Sequence, residues 1–186
     1  MTGIVNNIGA RSGVIGTTVG RAGGLVVNAV AANYTTPVLV TCYHAWTDTG
    51  LTATLTDATS GNHVYAQISL SAGTMNDDAT TIHFRLMRDS TVIGGVGANS
   101  SATGADVDTA QNVNVGGHYT SANSNRMFNT AFVYKDVLTG SGSLVYKVQC
   151  YTNATETVAI NRSGTDSTNG YGIRGCSTIL IEEIQI

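Results

Sequence analysis

The chain has 186 residues and a formal net charge of −3, and charged residues make up only 11% of it, against about 25% in a typical globular domain. Hydrophobic residues reach 42%, which argues against a disordered chain. The nine Lys and Arg residues are scattered, and this argues against nucleic-acid binding, which depends on clustered positive charge. The scatter argues equally against an anionic membrane surface, and no apolar run approaches the roughly 20 residues of a membrane span.

The first residues differ from the remainder of the chain. Residues 1–24 carry seven glycines and only dispersed aliphatic side chains, without sustained periodicity. Such a segment cannot form a core of its own, and we interpret it as an extended Gly-rich attachment arm. It also lacks the charged segment followed by a long apolar stretch that marks a secretory signal. Residues 25–186 are predicted to form a single folded domain, as the chain length favours.

Strand patterns recur at short spacing from residue 25 onward. Period-two alternation of apolar and polar residues is typical of half-buried antiparallel strands. Arg88, Asp89 and Ser90 indicate a tight hairpin, and polar loops are predicted over residues 95–112 and 161–175. The predicted strand segments are 25–30, 38–46, 51–55, 63–70, 81–88, 91–94, 113–119, 128–137, 144–151, 155–160 and 178–186.

From these segments we expect eight to ten strands and no amphipathic helix. Thr and Val favour strands, while Gly, Asn, Asp and Ser favour tight turns. The predicted fold is therefore all-β, a two-sheet antiparallel jelly-roll sandwich with an N-terminal arm, and an up-and-down barrel is the alternative. The last segment carries apolar residues on both faces, which indicates burial on both sides and is consistent with oligomerisation.

The sequence offers little for catalysis. Cys42 and His44 could form a nucleophilic pair, but on one predicted strand they share a face with Val38, Val40 and Trp46, so core packing is preferred. The three cysteines are widely spaced without a C-x-x-C motif, which predicts neither a disulfide framework nor a zinc site. We expect all three to be reduced, with Cys42 and Cys150 buried in strands.

Carboxylates and histidines also lack the spacing of a site. Glu182 and Glu183 are adjacent, so they point to opposite faces of a strand and do not form a carboxylate pair for glycoside hydrolysis. We expect both to be solvated at the end of the strand. The sequence therefore predicts no catalytic residue, no metal and no cofactor, and hence a protein that is not an enzyme.

Several segments, taken in order, resemble a known family. FRLMRDSTVIGGVG, LVYKVQCYT, VAINRSGTDS and STILIEEI resemble strands and turns of the TNF-like jelly-roll virion proteins of tailed bacteriophages, marine phages especially, and NNIGARSGVIGTTVG resembles their N-terminal arms. The resemblance implies a homotrimer that packs through apolar strand faces, with the arm binding a partner surface on the particle. The arm residues assigned to this contact are Ile4, Val5, Arg11, Val14, Ile15 and Arg21.

The expected function is that of a capsid decoration or cement protein in the virion, assembled in the host cytoplasm. An extended arm of this length reaches about 80 Å, enough to bridge subunits of the major capsid protein. The alternative is a receptor-binding tail-fibre tip or another tail-associated adhesin, whose partner is a tail protein of the same virion. Its ligand would be a host surface glycan bound by exposed loop residues, for which Tyr119 and Tyr171 are the candidates.

Overall fold

The computed structural model describes residues 24–74, 80–93, 114–119, 127–152, 157–165 and 172–186. In these ranges the chain forms strands and no helix. The strands are β1 (Leu25–Tyr34), β2 (Val38–Thr41), β3 (Thr47–Ala58), β4 (His63–Thr74), β5 (Thr80–Arg88), β6 (Thr91–Val92), β7 (Asn114–Tyr119), β8 (Phe128–Val137), β9 (Gly142–Thr152), β10 (Thr157–Ile160) and β11 (Ser177–Gln185).

The strands pair into two antiparallel sheets. The first follows the order β1–β11–β4–β8, and the second the order β3–β9–β5–β7. Each sheet interleaves strands from the two ends of the chain, which is the arrangement of an eight-stranded jelly roll. The short strands β2 and β10 extend the first sheet beside the end of β4, and β6 forms a hairpin with β5. The predicted jelly-roll sandwich is confirmed, and the barrel alternative is wrong.

The core lies between the sheets and follows the predicted alternation. Every second residue of β4 and β5 is buried, because successive side chains of a strand point to opposite faces. Each large apolar side chain buried in this way stabilises the fold by about 1.5–3 kcal/mol. From these two strands the core receives Val64, Ala66, Ile68, Leu70, Ile82, Phe84 and Leu86.

The predicted strand over residues 38–46 is interrupted by a turn. The Ala45 amide donates to the Cys42 carbonyl at 3.3 Å, and His44 has a φ of +49°. The period-two pattern ends at this turn, so Cys42 is fully buried whereas His44 is exposed. The prediction that these two residues share a face with Trp46 is therefore wrong.

Asn161 stands at the start of the predicted polar loop but is fully buried. Its Nδ2 donates to the carbonyls of Tyr34 at 2.8 Å and Thr36 at 3.2 Å, while its Oδ1 accepts from the Ser177 hydroxyl at 2.6 Å. Its backbone amide donates to the Ser71 carbonyl at 2.9 Å. Asn161 thus joins the connection after β1, the end of β10, the start of β11 and the last third of β4.

Glu183 is also buried, with 1% of its surface exposed. Its Oε1 accepts from the Thr59 amide at 2.9 Å and from Asn62 Nδ2 at 2.6 Å, so it holds the turn between β3 and β4 against the end of β11. The prediction of a solvated Glu183 is wrong because that turn covers the strand end. Glu182 lies on the opposite face, as predicted, and its Oε2 accepts from Gln67 Nε2 at 3.1 Å.

A buried ion pair joins the two sheets. Arg88 at the end of β5 donates to Asp136 of β8 at 2.5 Å, and the hydroxyl of Tyr146 on β9 donates to the same carboxylate oxygen at 2.9 Å. Tyr146 is fully buried. Burial, together with the charge of Asp136, raises the pKa of Tyr146 well above its ordinary value.

This raised pKa predicts a loss of stability in alkaline solution. Below about pH 10 the tyrosine is protonated in both states, whereas above it only the unfolded chain ionises, so unfolding becomes more favourable as pH rises. Urea denaturation should therefore show that the advantage of the wild type over Tyr146→Phe shrinks by about 1.4 kcal/mol between about pH 8 and pH 11. A difference that stays constant over this range would contradict the assignment.

Candidate functional site

Most residues predicted to contact a partner lie outside the described residues. This holds for Tyr171 and for the arm residues Ile4, Val5, Arg11, Val14, Ile15 and Arg21. Tyr119 is the last residue of β7, where its backbone pairs with Thr80. Its side chain is not among the parts of the chain that the structure describes. The assignments of these residues to partner or ligand contacts remain predictions.

The described residues carry an exposed apolar surface on the outer side of the first sheet, here called the apolar sheet face. Val26, Ile184, His63 and Val137 stand side by side across β1, β11, β4 and β8. A second row four residues away contains Ala31, Leu180, Gln67 and Val133. We define the face by its large apolar members, Val26, Val133, Val137, Leu180 and Ile184.

Exposure on this face is high for side chains of this type. Val133 is 63% exposed, Val137 50% and Val26 47%, while Leu180 and Ile184 are half-buried. Burying such side chains against another apolar surface is favourable in proportion to the area removed from water. The prediction that β11 is apolar on both faces is correct, but in a single chain only its inner face is covered.

The outer side of the first sheet is recessed next to one end of the apolar sheet face. A shallow depression of about 490 Å³ lies where small side chains replace large ones. Ser69, Ala131 and Thr178 stand in one row across β4, β8 and β11, beside the row of Leu180 and Val133. A depression of this volume accommodates a protruding side chain of a neighbouring molecule.

The outer side of the second sheet has a different character. The aromatic cluster consists of Tyr43, His44, Trp46, His83 and Tyr151, in which the ring of Tyr151 contacts those of His44, Trp46 and His83. Tyr43 stacks on His44 with ring centroids 4.1 Å apart, and His44 lies parallel to Tyr151 at 6.2 Å. Trp46 and His83 lie 5.4 Å and 5.9 Å from Tyr151. Tyr151 is thereby 5% exposed, whereas Tyr43 is 43% exposed.

A series of polar side chains continues from the aromatic cluster across β5, β9 and β3. The Arg85 guanidinium lies 4.3 Å from the centre of the Trp46 ring, and its Nε donates to Gln149 Oε1 at 2.8 Å. Gln149 Nε2 donates to Asp48 Oδ1 at 2.6 Å, and Lys147 donates to Asp48 Oδ2 at 2.9 Å. Although partial burial opposes ionisation, hydrogen bonds from Lys147 and Gln149 hold the pKa of Asp48 below its ordinary value.

Two buried thiols lie beneath the aromatic cluster. Cys42 and Cys150 are both fully buried, as predicted, and both are free. Their side chains hydrogen-bond to one another; this bond lowers the pKa of Cys42, and the same bond and burial raise that of Cys150. His44 lies outside the core in the adjacent turn, where its ring stacks on those of Tyr43 and Tyr151.

Sequence patterns did not identify the aromatic cluster because its members come from three separate segments. Residues 43–46 follow β2, His83 lies on β5, and Tyr151 lies on β9. Only the pairing of β5 with β9, together with the bridge between Tyr43 and Thr152, brings them together. The spacing of aromatic residues along one predicted strand carries no information about their contacts with residues on distant strands.

The described ranges contain no helix long and apolar enough to cross a membrane. In the same ranges, no three or more His, Cys, Asp and Glu side chains form a group suited to a metal ion.

Comparison with protein-family models finds no matching family, and no curated protein matches the sequence. Among solved structures, the VP2 protein of infectious bursal disease virus, as the D431N mutant in T=1 particles, is similar at 11% identity and a TM-score of 0.30, over 85% of this chain and 36% of that one. The structure of the Gt strain of infectious bursal disease virus is similar at 8% identity and a TM-score of 0.31, over 86% of this chain and 38% of that one.

The enzymatically active domain of tailspike protein 4 from bacteriophage CBA120 is similar at 13% identity and a TM-score of 0.22, over 82% of this chain and 20% of that one. The chain thus spans well under half the length of each of these structures. At these identities and TM-scores the likeness identifies neither a family nor an activity.

Proposed function

We propose that this chain is a structural protein of a virus particle, without enzymatic activity, that forms a homotrimer and decorates the capsid. Residues 1–24 attach it to the major capsid protein. The observation that carries this proposal is the apolar sheet face, whose five large apolar side chains lie in two rows on β1, β11 and β8 of a jelly roll. The resemblance of the closing strands to phage virion proteins supports the same assignment.

The geometry of the face suits a closed ring of three copies. In a cyclic trimer each subunit presents two different surfaces, and one copy's edge packs on the next copy's face. The outer strands of the apolar sheet face are roughly 14 Å apart, and four residues along a strand add roughly 14 Å. A patch of this size forms the centre of a standard interface. The row between its two apolar rows consists of Ala29, Glu182, Tyr65 and Lys135.

Placing a charge on this face should dissociate the trimer. Val133 is 63% exposed, so Val133→Asp is expected to fold normally. It should weaken self-association on the order of 100-fold, because the carboxylate must lose its water in the interface. Light scattering coupled to gel filtration should show a trimer for the wild type and a monomer for the variant.

The matched control is Thr54→Asp, which places the same charge at an exposed position of β3 on the other sheet. This variant is expected to remain trimeric. A wild-type monomer at micromolar concentration, or dissociation by both substitutions alike, would count against the apolar sheet face as the interface.

Removal of residues 1–24 should separate attachment from folding. Because β1 begins at Leu25, the truncated protein is expected to keep its thermal unfolding midpoint and its trimeric state. It should fail to bind particles from which the full-length protein has been removed. Sedimentation of both forms with such particles is the measurement, and equal co-sedimentation would exclude the arm as the attachment segment.

A further inference from the structure

We propose that the aromatic cluster and the adjoining polar side chains Asp48 and Gln149 form a carbohydrate-binding site. The ligand class is a polysaccharide built of pyranose units. The site lies on the outer side of the second sheet, on the opposite side of the sandwich from the apolar sheet face. Trimer formation through one sheet therefore leaves the other sheet directed outward.

Tyr43 supplies the stacking surface. It is 43% exposed, and its ring stacks on His44 at 4.1 Å, so its position is fixed before any ligand binds. Behind it, His44 stacks on Tyr151. Aromatic rings with a polar edge suit ligands that are apolar on one side and polar on the other, and the C–H face of a pyranose ring with its equatorial hydroxyls is such a ligand.

Asp48 and Gln149 supply paired polar atoms at the other end of the aromatic cluster, where Gln149 lies three residues along β9 from Thr152, the bridge partner of Tyr43. The carboxylate of Asp48 has about four acceptor positions and the amide of Gln149 has two donor hydrogens and an acceptor oxygen. The contacts with Lys147, Arg85 and each other fix their orientation without exhausting these groups. Two adjacent sugar hydroxyls match such paired atoms, and preorganised side chains lose little entropy on binding.

The backbone at His44 gives independent support. Its φ of +49° is a conformation that residues other than glycine adopt infrequently, and it costs energy that the surrounding structure must offset. The His44 amide donates to the Thr152 carbonyl at 3.0 Å, which holds the turn in place. The result of this conformation is the stacking of His44 between Tyr43 and Tyr151.

The charges around the aromatic cluster favour a sugar over a phosphate-rich ligand. Lys147 is paired with Asp48, and Arg85 is placed over Trp46 and bound to Gln149. Binding of nucleic acid draws on several clustered cations directed at phosphates. The cations here are instead used to fix the positions of neighbouring side chains.

The test is a glycan array probed with the purified full-length protein, followed by affinity electrophoresis in gels containing dextran, mannan or polygalacturonate. Tyr43→Ala and the isosteric Asp48→Asn are compared with the wild type. Each variant is expected to bind about tenfold or more weakly, the loss typical of a central contact, with an unchanged thermal unfolding midpoint. Asp57→Asn, an equally isosteric change at an exposed position of β3, is the matched control and should bind like the wild type. Tyr171→Ala tests the competing contact predicted from the sequence.

Failure of the wild type to bind any glycan on the array or in the gels overturns the proposal. Loss of binding in Tyr171→Ala together with full binding by Tyr43→Ala also overturns it and transfers the site to the predicted loop over residues 161–175. Retention of a single-stranded oligonucleotide instead of a polysaccharide would assign the aromatic cluster to base stacking. None of these outcomes changes the expected trimeric state, so failure here is distinct from failure of the proposed structural role.

Discussion

Replacing Asp136 with Ala is expected to lower the free energy of unfolding by about 3–5 kcal/mol, the usual effect of removing one partner of a buried ion pair. The Arg88 and Asp136 side chains are only 12% and 8% exposed. The substitution leaves a largely buried guanidinium without its counter-charge and deprives the hydroxyl of Tyr146 of its acceptor. Because this network joins β5 and β9 to β8, its loss weakens the contact between the sheets.

Urea denaturation at a fixed protein concentration measures this effect, since self-association makes apparent stability concentration-dependent. The matched control is Lys147→Met, which breaks an ion pair on the surface, where Asp48 is 51% exposed. That loss should be about 0–1 kcal/mol.

An apolar replacement of the whole network should recover most of the stability, because well-packed hydrophobic residues often substitute for a buried pair at little cost. The triple variant Arg88→Met, Asp136→Leu, Tyr146→Phe tests this. A triple variant as unstable as Asp136→Ala would mean that the loss arises from packing and not from the uncompensated charge.

Replacing Asn161 with Ala is expected to cost about 3–5 kcal/mol, since each buried polar group left unsatisfied costs about 1–3 kcal/mol. The carbonyls of Tyr34 and Thr36 and the hydroxyl of Ser177 lose their partner. Ala is in addition disfavoured at the φ of +58° found here. Thermal and urea unfolding should both report the loss.

Asn161→Gly separates the two causes. Glycine adopts positive φ without strain, so this variant should be about 1–2 kcal/mol more stable than Asn161→Ala while still losing the side-chain hydrogen bonds. Asn33→Ala, at an exposed position of β1, should lie within about 0.5 kcal/mol of the wild type. A loss below about 1 kcal/mol for Asn161→Ala would show that water replaces its bonds.

The strands were predictable because their signal is local. Alternation in β4, β5 and β8 depends only on which face of the same strand is buried, and these inner faces are buried as expected. The buried polar residues were not predictable in this way. Asn161 and Glu183 look like loop and strand-end residues in sequence, and their burial depends on segments more than 100 residues away.

Of the two candidate surfaces, the apolar sheet face was partly predictable from the sequence and the aromatic cluster was not. The apolar character of β11 on both faces was visible in the sequence, because Leu180 and Ile184 alternate with Ile179 and Ile181. The turn after β2 was not visible in the sequence, because the positive φ at His44 is imposed by tertiary contacts and no neighbouring Gly or Pro indicates a turn. With that turn unrecognised, Tyr43 and Trp46 were assigned to a strand, and their contact with Tyr151 could not be inferred.

The proposed role in the virion is tested most directly by copy number. Quantitative mass spectrometry of purified particles should measure the amount of this chain against the major capsid protein. We expect an abundance comparable to that of the capsid protein, with trimers distributed over the shell. A few trimers per particle would contradict capsid decoration and favour a tail-tip adhesin, and absence from the particle would contradict a structural role in the virion altogether.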